Sequence, residues 1–192
     1  MYKVDVPPFS EEGVVVEKFE ISPADAAFYN INCHGRPVSP GQHTRLVING
    51  RVWMSDTDAE MREHRTLFWA VETVVALRGE ARVLLNGLGL GMALHGCFQN
   101  GATHVTAVEK HPVIAERIGG YWSEVYGDKL TVHCADAFEW NPPKGTRYHM
   151  VWHDIWQSLC GDNLKEMERL HRKYGRRTEW QQSWGRQELK RR

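Results

Sequence analysis

The stretch Ala81-Arg-Val-Leu-Leu-Asn-Gly-Leu-Gly-Leu-Gly-Met92 constrains this chain more than any other. A short apolar run, Val83 to Leu85, stops at glycines on alternate positions, Gly87, Gly89 and Gly91, and an apolar run of helical character resumes at Met92. A buried strand, a glycine turn and a helix N-terminus follow one another directly. Glycine accepts the positive backbone angles and the close backbone approach that such a turn needs. The helix start adds unpaired N–H groups and a positive dipole end. The pattern is a cradle for a cofactor.

From residue 81 onward strand and helix alternate. Val105 to Val108 reads as a second strand ending in Glu109. His111-Pro112 opens a helix interrupted at Gly119-Gly120, Leu130 to Cys134 is a third strand ending near Asp136, and Tyr148 to Trp152 is a fourth ending at Asp154. Leu164 to Tyr174 is helical, with Leu164, Met167, Leu170 and His171 on one face. The alternation predicts an α/β, Rossmann-like fold whose mostly parallel sheet is covered on both faces. In such sheets a ligand sits beyond the carboxyl ends of the strands, where Glu109, Asp136 and Asp154 lie. Upstream, Gly13 to Ile21 has strand character, and Ser22-Pro23 starts a short helix to Tyr29. A Pro/Gly-rich loop, Gly35 to Gly41, follows. Asn49-Gly50 between Thr44–Ile48 and Arg51–Met54 is a hairpin signal. Thr57-Asp-Ala-Glu60 reads as a capping box opening a helix that Gly79 closes. The chain thus divides into an N-terminal β-hairpin segment (1–56), a cofactor-binding domain (57–175) and a basic C-terminal tail (176–192).

A length of 192 residues suits one core with a small appendage. No apolar run approaches a membrane span, no signal pattern opens the sequence, and the four cysteines include no Cys-x-x-Cys pair. A cytoplasmic protein with reduced thiols and no membrane partner is the expectation. Net charge is zero but uneven: −4 over residues 1–80, −2 over 81–171 and +6 over 172–192. The tail interleaves Trp180 and Trp184 with Arg176, Arg177, Arg186, Lys190, Arg191 and Arg192, the ingredients of a nucleic-acid contact. Two tryptophans four apart equally suit an amphipathic helix packed on the sheet. The 38 residues after Asp154 read as helix and tail with no fifth strand. The sheet is therefore expected to be truncated, with an exposed edge that a second copy of the chain would cover as a homo-oligomer.

The glycine spacing, Gly-x-Gly-x-Gly, departs from the Gly-x-Gly-x-x-Gly of dinucleotide folds, and Glu109 lies 22 residues after Gly87, near the place of a ribose-binding acid. With Asp136 and Asp154 in order behind them, residues 81–156 resemble the class I S-adenosylmethionine (SAM)-dependent methyltransferases. The resemblance implies SAM as cofactor, with Asn86, Gly87, Gly89 and Gly91 at its methionine end. Glu109 would meet the ribose, and Asp136 with Ala137 the adenine. Asp154 would orient or deprotonate an unknown acceptor, with His153 beside it as a second candidate. No metal is expected: Cys33-His34 with His43 lacks a fourth ligand at finger-like spacing. Asn141-Pro142-Pro143 precedes the fourth strand, whereas the related motif of DNA adenine methyltransferases follows it, and it reads as a rigid loop.

Two further resemblances concern other segments. Leu85, two positions before the first glycine, and the hairpin run Leu46 to His64 are similar to the polyamine synthases (aminopropyltransferases). Those enzymes carry Asp-x-x-Asp after the fourth strand, whereas this chain has Asp154-Ile-Trp-Gln157, and a neutral amide does not hold an ammonium as a carboxylate does. The set Trp53–Thr57, Asn86–Met92, Trp152–Trp156 and Trp180–Arg186 looks like a group of short methyltransferase-like proteins of bacteria and bacteriophages. Three functions follow: a SAM-dependent methyltransferase, a spermidine synthase-like aminopropyltransferase, or a non-catalytic SAM- or nucleotide-binding module that contacts nucleic acid or a partner through its tail.

Overall fold

The computed structural model describes residues 3–31 and 36–191; Cys33, His34 and Arg192 lie outside them. The chain begins with an antiparallel sheet in the order β1-β2-β3-β4, formed by β1 (Phe9–Glu11), β2 (Val14–Ile21), β3 (Gly41–Ile48) and β4 (Arg51–Ser55). Helix α1 (Pro23–Ile31) connects β2 to β3, and Ser22 Oγ caps it by accepting from the Asp25 N–H at 3.1 Å. The β3–β4 turn falls on Asn49 and Gly50, at φ of 50° and 75°, the left-handed pair that a two-residue hairpin needs. The expected hairpin is thus the outer half of a larger sheet, whose Val14, Val16 and Leu46 are buried.

The capping box at Thr57 does not form. Helix α2 (Asp58–Met61) lasts one turn, and Glu60 reaches back to Ser55, accepting from its N–H at 2.9 Å and from its hydroxyl at 2.5 Å. A 3₁₀ turn, Arg62–His64, leads into α3 (Arg65–Arg78), which Gly79 ends at φ 74°.

The second sheet contains β5 (Arg82–Asn86), β6 (His104–Glu109), β7 (Leu130–Cys134), β8 (Tyr148–His153) and β9 (Thr178–Ser183), all parallel, in the order β7-β6-β5-β8-β9. Crossovers run through α4 (Met92–Gln99), α5 (Gly119–Tyr126) and α6 (Asn163–Tyr174). Val83, Leu84 and Leu85 of the central strand are at most 1% exposed, each burial being worth about 1.5–3 kcal/mol. The architecture is Rossmann-like α/β, and the order reverses between β5 and β8. That reversal is the point where such sheets open a crevice.

Two expectations are corrected here. A π-helical turn, Ile114–Ile118, runs unbroken into α5, so Gly119-Gly120 does not interrupt the helix. Instead, a Cβ at Gly119 would come within 3.0 Å of Val132, so the glycine lets the helix lie close on β7. More important, the expectation of no fifth strand after Asp154 fails: the basic C-terminal segment supplies the edge strand β9 and a short helix α7 (Arg186–Leu189). Strand β9 is Thr-Glu-Trp-Gln-Gln-Ser, without an apolar run, because an edge strand needs only part of its surface buried. Trp180 stacks on Trp152 at 6.3 Å from strand to strand, not from a helix. Among the described residues no strand follows β9, which pairs on one side only. No described helix is long and apolar enough to cross a membrane.

Candidate active site

Backbone hydrogen bonds tie the ends of the parallel strands together. Asp154 N–H donates to the Asn86 carbonyl, Gly87 N–H to Val108, and Ala135 N–H to Glu109, each at 2.8 Å. Glu109, Asp136 and Asp154 are thereby delivered to one cleft of about 840 Å³ at the switch point, in the upper part of the range for small-molecule sites. The hairpin β3–β4 and the segment Glu60–His64 form its opposite wall.

On the sheet side Glu109 and Asp136 are held by donors, while Asn86 Oδ1 and His111 Nδ1 are buried without a hydrogen-bond partner. The Glu109 carboxylate accepts from Leu88 N–H at 2.9 Å and from His111 N–H at 2.8 Å, which fixes it at the cleft with lone pairs to spare. Asp136 accepts from Lys110 and from Phe138 N–H, both at 2.8 Å, and the Lys110 ammonium leads in holding its carboxyl below the usual range. Ala137 lines the cleft beside it. A Cβ on Gly87, at φ 100°, would collide with the Asp154 carbonyl, so this glycine allows the loop to pass against the end of β8. A Cβ on Gly89 would meet the Met54 thioether, which accepts from Leu90 N–H at 3.2 Å and closes this side with β4. Gly91 begins α4 under the Trp122 indole and does not line the cleft; its role there is packing.

Asn86 and His153 are also set back from the cleft. His153 is fully buried, its Nδ1 2.8 Å from the Asn86 side-chain amide and its Nε2 3.4 Å from Gln181 Oε1. Burial, then the neighbouring His171, pushes its pKa to about 3. Strand alternation explains this: Trp152 faces α3 and His153 faces α6, where His171 and Tyr174 pack on it. His153, the second candidate for acceptor deprotonation, is thus buried and does not line the cleft.

Asp154 is different. Burial, followed by the nearby Glu63, raises its pKa to about 7, which places a base near neutrality. Its Oδ2 lies 3.8 Å from His64 Nδ1, beyond hydrogen-bond reach. His64 is 3% exposed and wedged between Phe68 and Trp152, its Nδ1 has no hydrogen-bond partner, and burial lowers its pKa to about 4. An unpaired buried polar atom costs about 1–3 kcal/mol. Glu63 accepts from Arg36 and from the Trp184 indole, whose residue is seated by its own N–H donating to the His153 carbonyl at 2.9 Å. Trp156 lines the cleft with its indole N–H on Glu166 at 2.6 Å.

Sequence reasoning missed Glu60, Glu63, His64 and Trp184. The signal available was the spacing of Glu60, Glu63 and His64, three and four apart on one side of a helical turn. Among the described residues no group of three or more histidines, cysteines, aspartates and glutamates could hold a metal ion. The Cys33-His34 pair falls outside those residues.

No family model matches the chain, and no curated protein sequence does. Several solved structures are similar to it at low identity. A candidate RNA methyltransferase from Pyrococcus horikoshii is 20% identical, over 67% of this chain and 60% of that one, with TM-score 0.48. A methyltransferase from Streptomyces caelestis is 19% identical, over 61% and 44%, with TM-score 0.46. The magnesium protoporphyrin IX methyltransferase from Synechocystis PCC 6803, solved with bound SAM, is 18% identical, over 58% and 55%, with TM-score 0.42. The chain spans about three fifths or less of the length of these structures. The fold assignment itself rests on the strand order and the parallel pairing.

Proposed function

We propose that the protein is a SAM-dependent methyltransferase. The observation that carries this reading is the convergence, at the reversal of one parallel sheet, of the loop at Gly87 and Gly89 with Glu109, Asp136 and Asp154 in a single cleft. These residues fit the cofactor. The loop at Gly87 and Gly89 would meet its amino-acid end, Glu109 the ribose hydroxyls, and Asp136 with Ala137 the adenine. Asn86 would act from behind by holding β5 to β8.

Bound SAM supplies an electrophilic methyl group on a positively charged sulfur. Asp154, at the sheet end and facing the hairpin wall, aligns the acceptor and takes its proton. Its raised pKa lets it do so near neutral pH without being locked as a fully solvated anion. The hairpin and the tryptophans exclude water from an in-line displacement. Calorimetric titration with SAM and with its demethylated product, S-adenosylhomocysteine (SAH), tests the reading. Binding of both in the micromolar range is expected, and no binding of either at millimolar ligand overturns it.

A further inference from the structure

Helix α6 carries a row of positive charge that the methyl-transfer reading does not use. Its inner face buries Met167, Leu170 and Tyr174. On the opposite face, three and four residues apart, stand Lys165, Arg169, Arg172 and, one turn further, Arg176, all exposed, with the half-buried Lys173 beside them. Between residues 163 and 177 there are six lysines and arginines against two glutamates, in a chain of zero net charge. Both glutamates are turned aside: Glu166 accepts from the Trp156 indole at 2.6 Å, and Glu168 acts on His171 at the other flank. Arg169 pairs with Glu139 at 3.3 Å, both side chains being largely exposed, so the pair is screened and easily exchanged. Among the described residues Lys165, Arg172 and Arg176 make no ion pair. Like charges at this spacing weaken a helix, and a polyanion laid along the row reverses that effect. The row also meets the cleft. The Arg169 guanidinium lies 4.8 Å from the centre of the Phe138 ring, Lys173 donates to the Phe138 carbonyl at 2.6 Å, and Phe138, Trp156 and Glu166 line the cleft.

We propose that the outer face of α6 docks the sugar–phosphate backbone of a single-stranded nucleic acid that runs to the mouth of the cleft. The inference goes beyond the methyl-transfer reading and stands without it. From Lys165 to Arg176 the row spans about 16 Å, so its five cations fall about 4 Å apart along the axis. A nucleic-acid strand carries a phosphate about every 3.4 Å, a closely similar density of opposite charge. Three of the five cations are arginines, whose planar fork matches a phosphate with two parallel bonds. A single row suits one strand, and the Trp156 indole at its cleft end offers a face for a base. Charge along a backbone beside an aromatic face is the chemistry that holds single strands. The row includes no apolar side chain to enter a membrane. The tryptophans that the sequence offered for this role are engaged elsewhere, Trp180 on Trp152 and Trp184 on Glu63. The contact therefore moves from the C-terminal segment to α6.

The test is fluorescence anisotropy of the intact protein with labelled oligo(dT) and oligo(U) of about 20 nucleotides. Either strand is expected to bind with Kd below about 10 µM at about 50 mM salt. Binding should weaken roughly sixtyfold on raising salt to about 200 mM, the slope of about −3 for four to five phosphate contacts. The triple variant Lys165→Ala/Arg172→Ala/Arg176→Ala should lose at least about twentyfold in affinity and flatten the slope by about 2, while still melting cooperatively. If it melts without cooperativity, Arg172→Ala and Arg176→Ala are read singly, each expected to flatten the slope by about 0.7. Lys190→Ala/Arg191→Ala, on α7, should change affinity less than about twofold. No binding at low salt, an unchanged slope in the α6 variants, or an equal loss from the α7 variant overturns the proposal. So does equally tight capture of a poly-glutamate peptide of the same charge or of phosphatidylserine–phosphatidylcholine vesicles. No cofactor enters the measurement, so its outcome is separate from that of the SAM titration.

Discussion

The two walls of the cleft are built on opposite principles. On the sheet wall Glu109 and Asp136 are each held by two donors, and the loop carries no side chains at Gly87 and Gly89. On the hairpin wall His64 has an unpartnered nitrogen and faces Asp154, whose pKa is displaced upward. The sheet wall holds its two acids in place, although Asn86 Oδ1 and His111 Nδ1 beside them are buried without partners. The other sets a carboxyl with a raised pKa 3.8 Å from a buried imidazole nitrogen, an unfavourable burial of both. On the proposed function, the sheet wall would hold the cofactor and Asp154 would act on the acceptor.

The largest test of this contrast removes the scaffold both walls share. Deleting residues 176–192 takes away β9, the Trp180–Trp152 stack and the Trp184 contact to Glu63, so cooperative thermal unfolding should be lost altogether. A truncated protein that still melts cooperatively would show that β9 and the Trp184 contact are not needed for the fold. Next, Gly87→Val should strike the sheet wall: strain at φ 100° and collision with the Asp154 carbonyl should cost about 3 kcal/mol or more. That lowers the melting temperature by roughly 6–12 °C, readable by calorimetry.

Asp154→Asn should separate the walls functionally. Once an acceptor is in hand, turnover should fall by about 10²–10⁴-fold while SAH affinity changes little. The same variant has a stability signature with a definite sign. Asp154 binds its proton more tightly folded than unfolded, between the ordinary 3.8 and about 7. Wild-type stability is therefore lost at this site as pH rises through that window, by up to about 4 kcal/mol. The asparagine variant should overtake wild type from pH 5 to pH 8 in urea unfolding, and an unchanged gap would show Asp154 to be unstrained. Buried His64, its pKa lowered to about 4, works oppositely, losing stability as pH falls below the ordinary 6.5 in both proteins, so the difference between them isolates Asp154. The smallest effect belongs to Lys110→Ala: its exposed pairing with Asp136 is screened by water, and SAH affinity should drop less than about fivefold.

The sheet wall was legible from the sequence because its parts are local. Gly87 and Gly89 follow a β-strand run directly, and Glu109 and Asp136 each end a short apolar run, so spacing along the chain equals position in space. The hairpin wall was not legible. Glu60, Glu63 and His64 precede Asp154 by about ninety residues, and Thr57-Asp-Ala-Glu60 matched a capping pattern whose acid the tertiary fold turned toward Ser55 instead. Strand β9 escaped for a related reason: polar edge residues carry no periodic apolar signal.

The glycine loop and the strand-end acids were determined by sequence alone, since a strand, a turn without side chains and a helix N-terminus follow from local backbone chemistry. Tertiary structure decided which of two adjacent residues, His153 or Asp154, meets the cleft, because strand alternation fixes faces only once the neighbours of β8 are known. It also decided what stands opposite Asp154. A pKa moved by burial, and a nitrogen left without a partner, are properties of the space between elements that are distant in the chain.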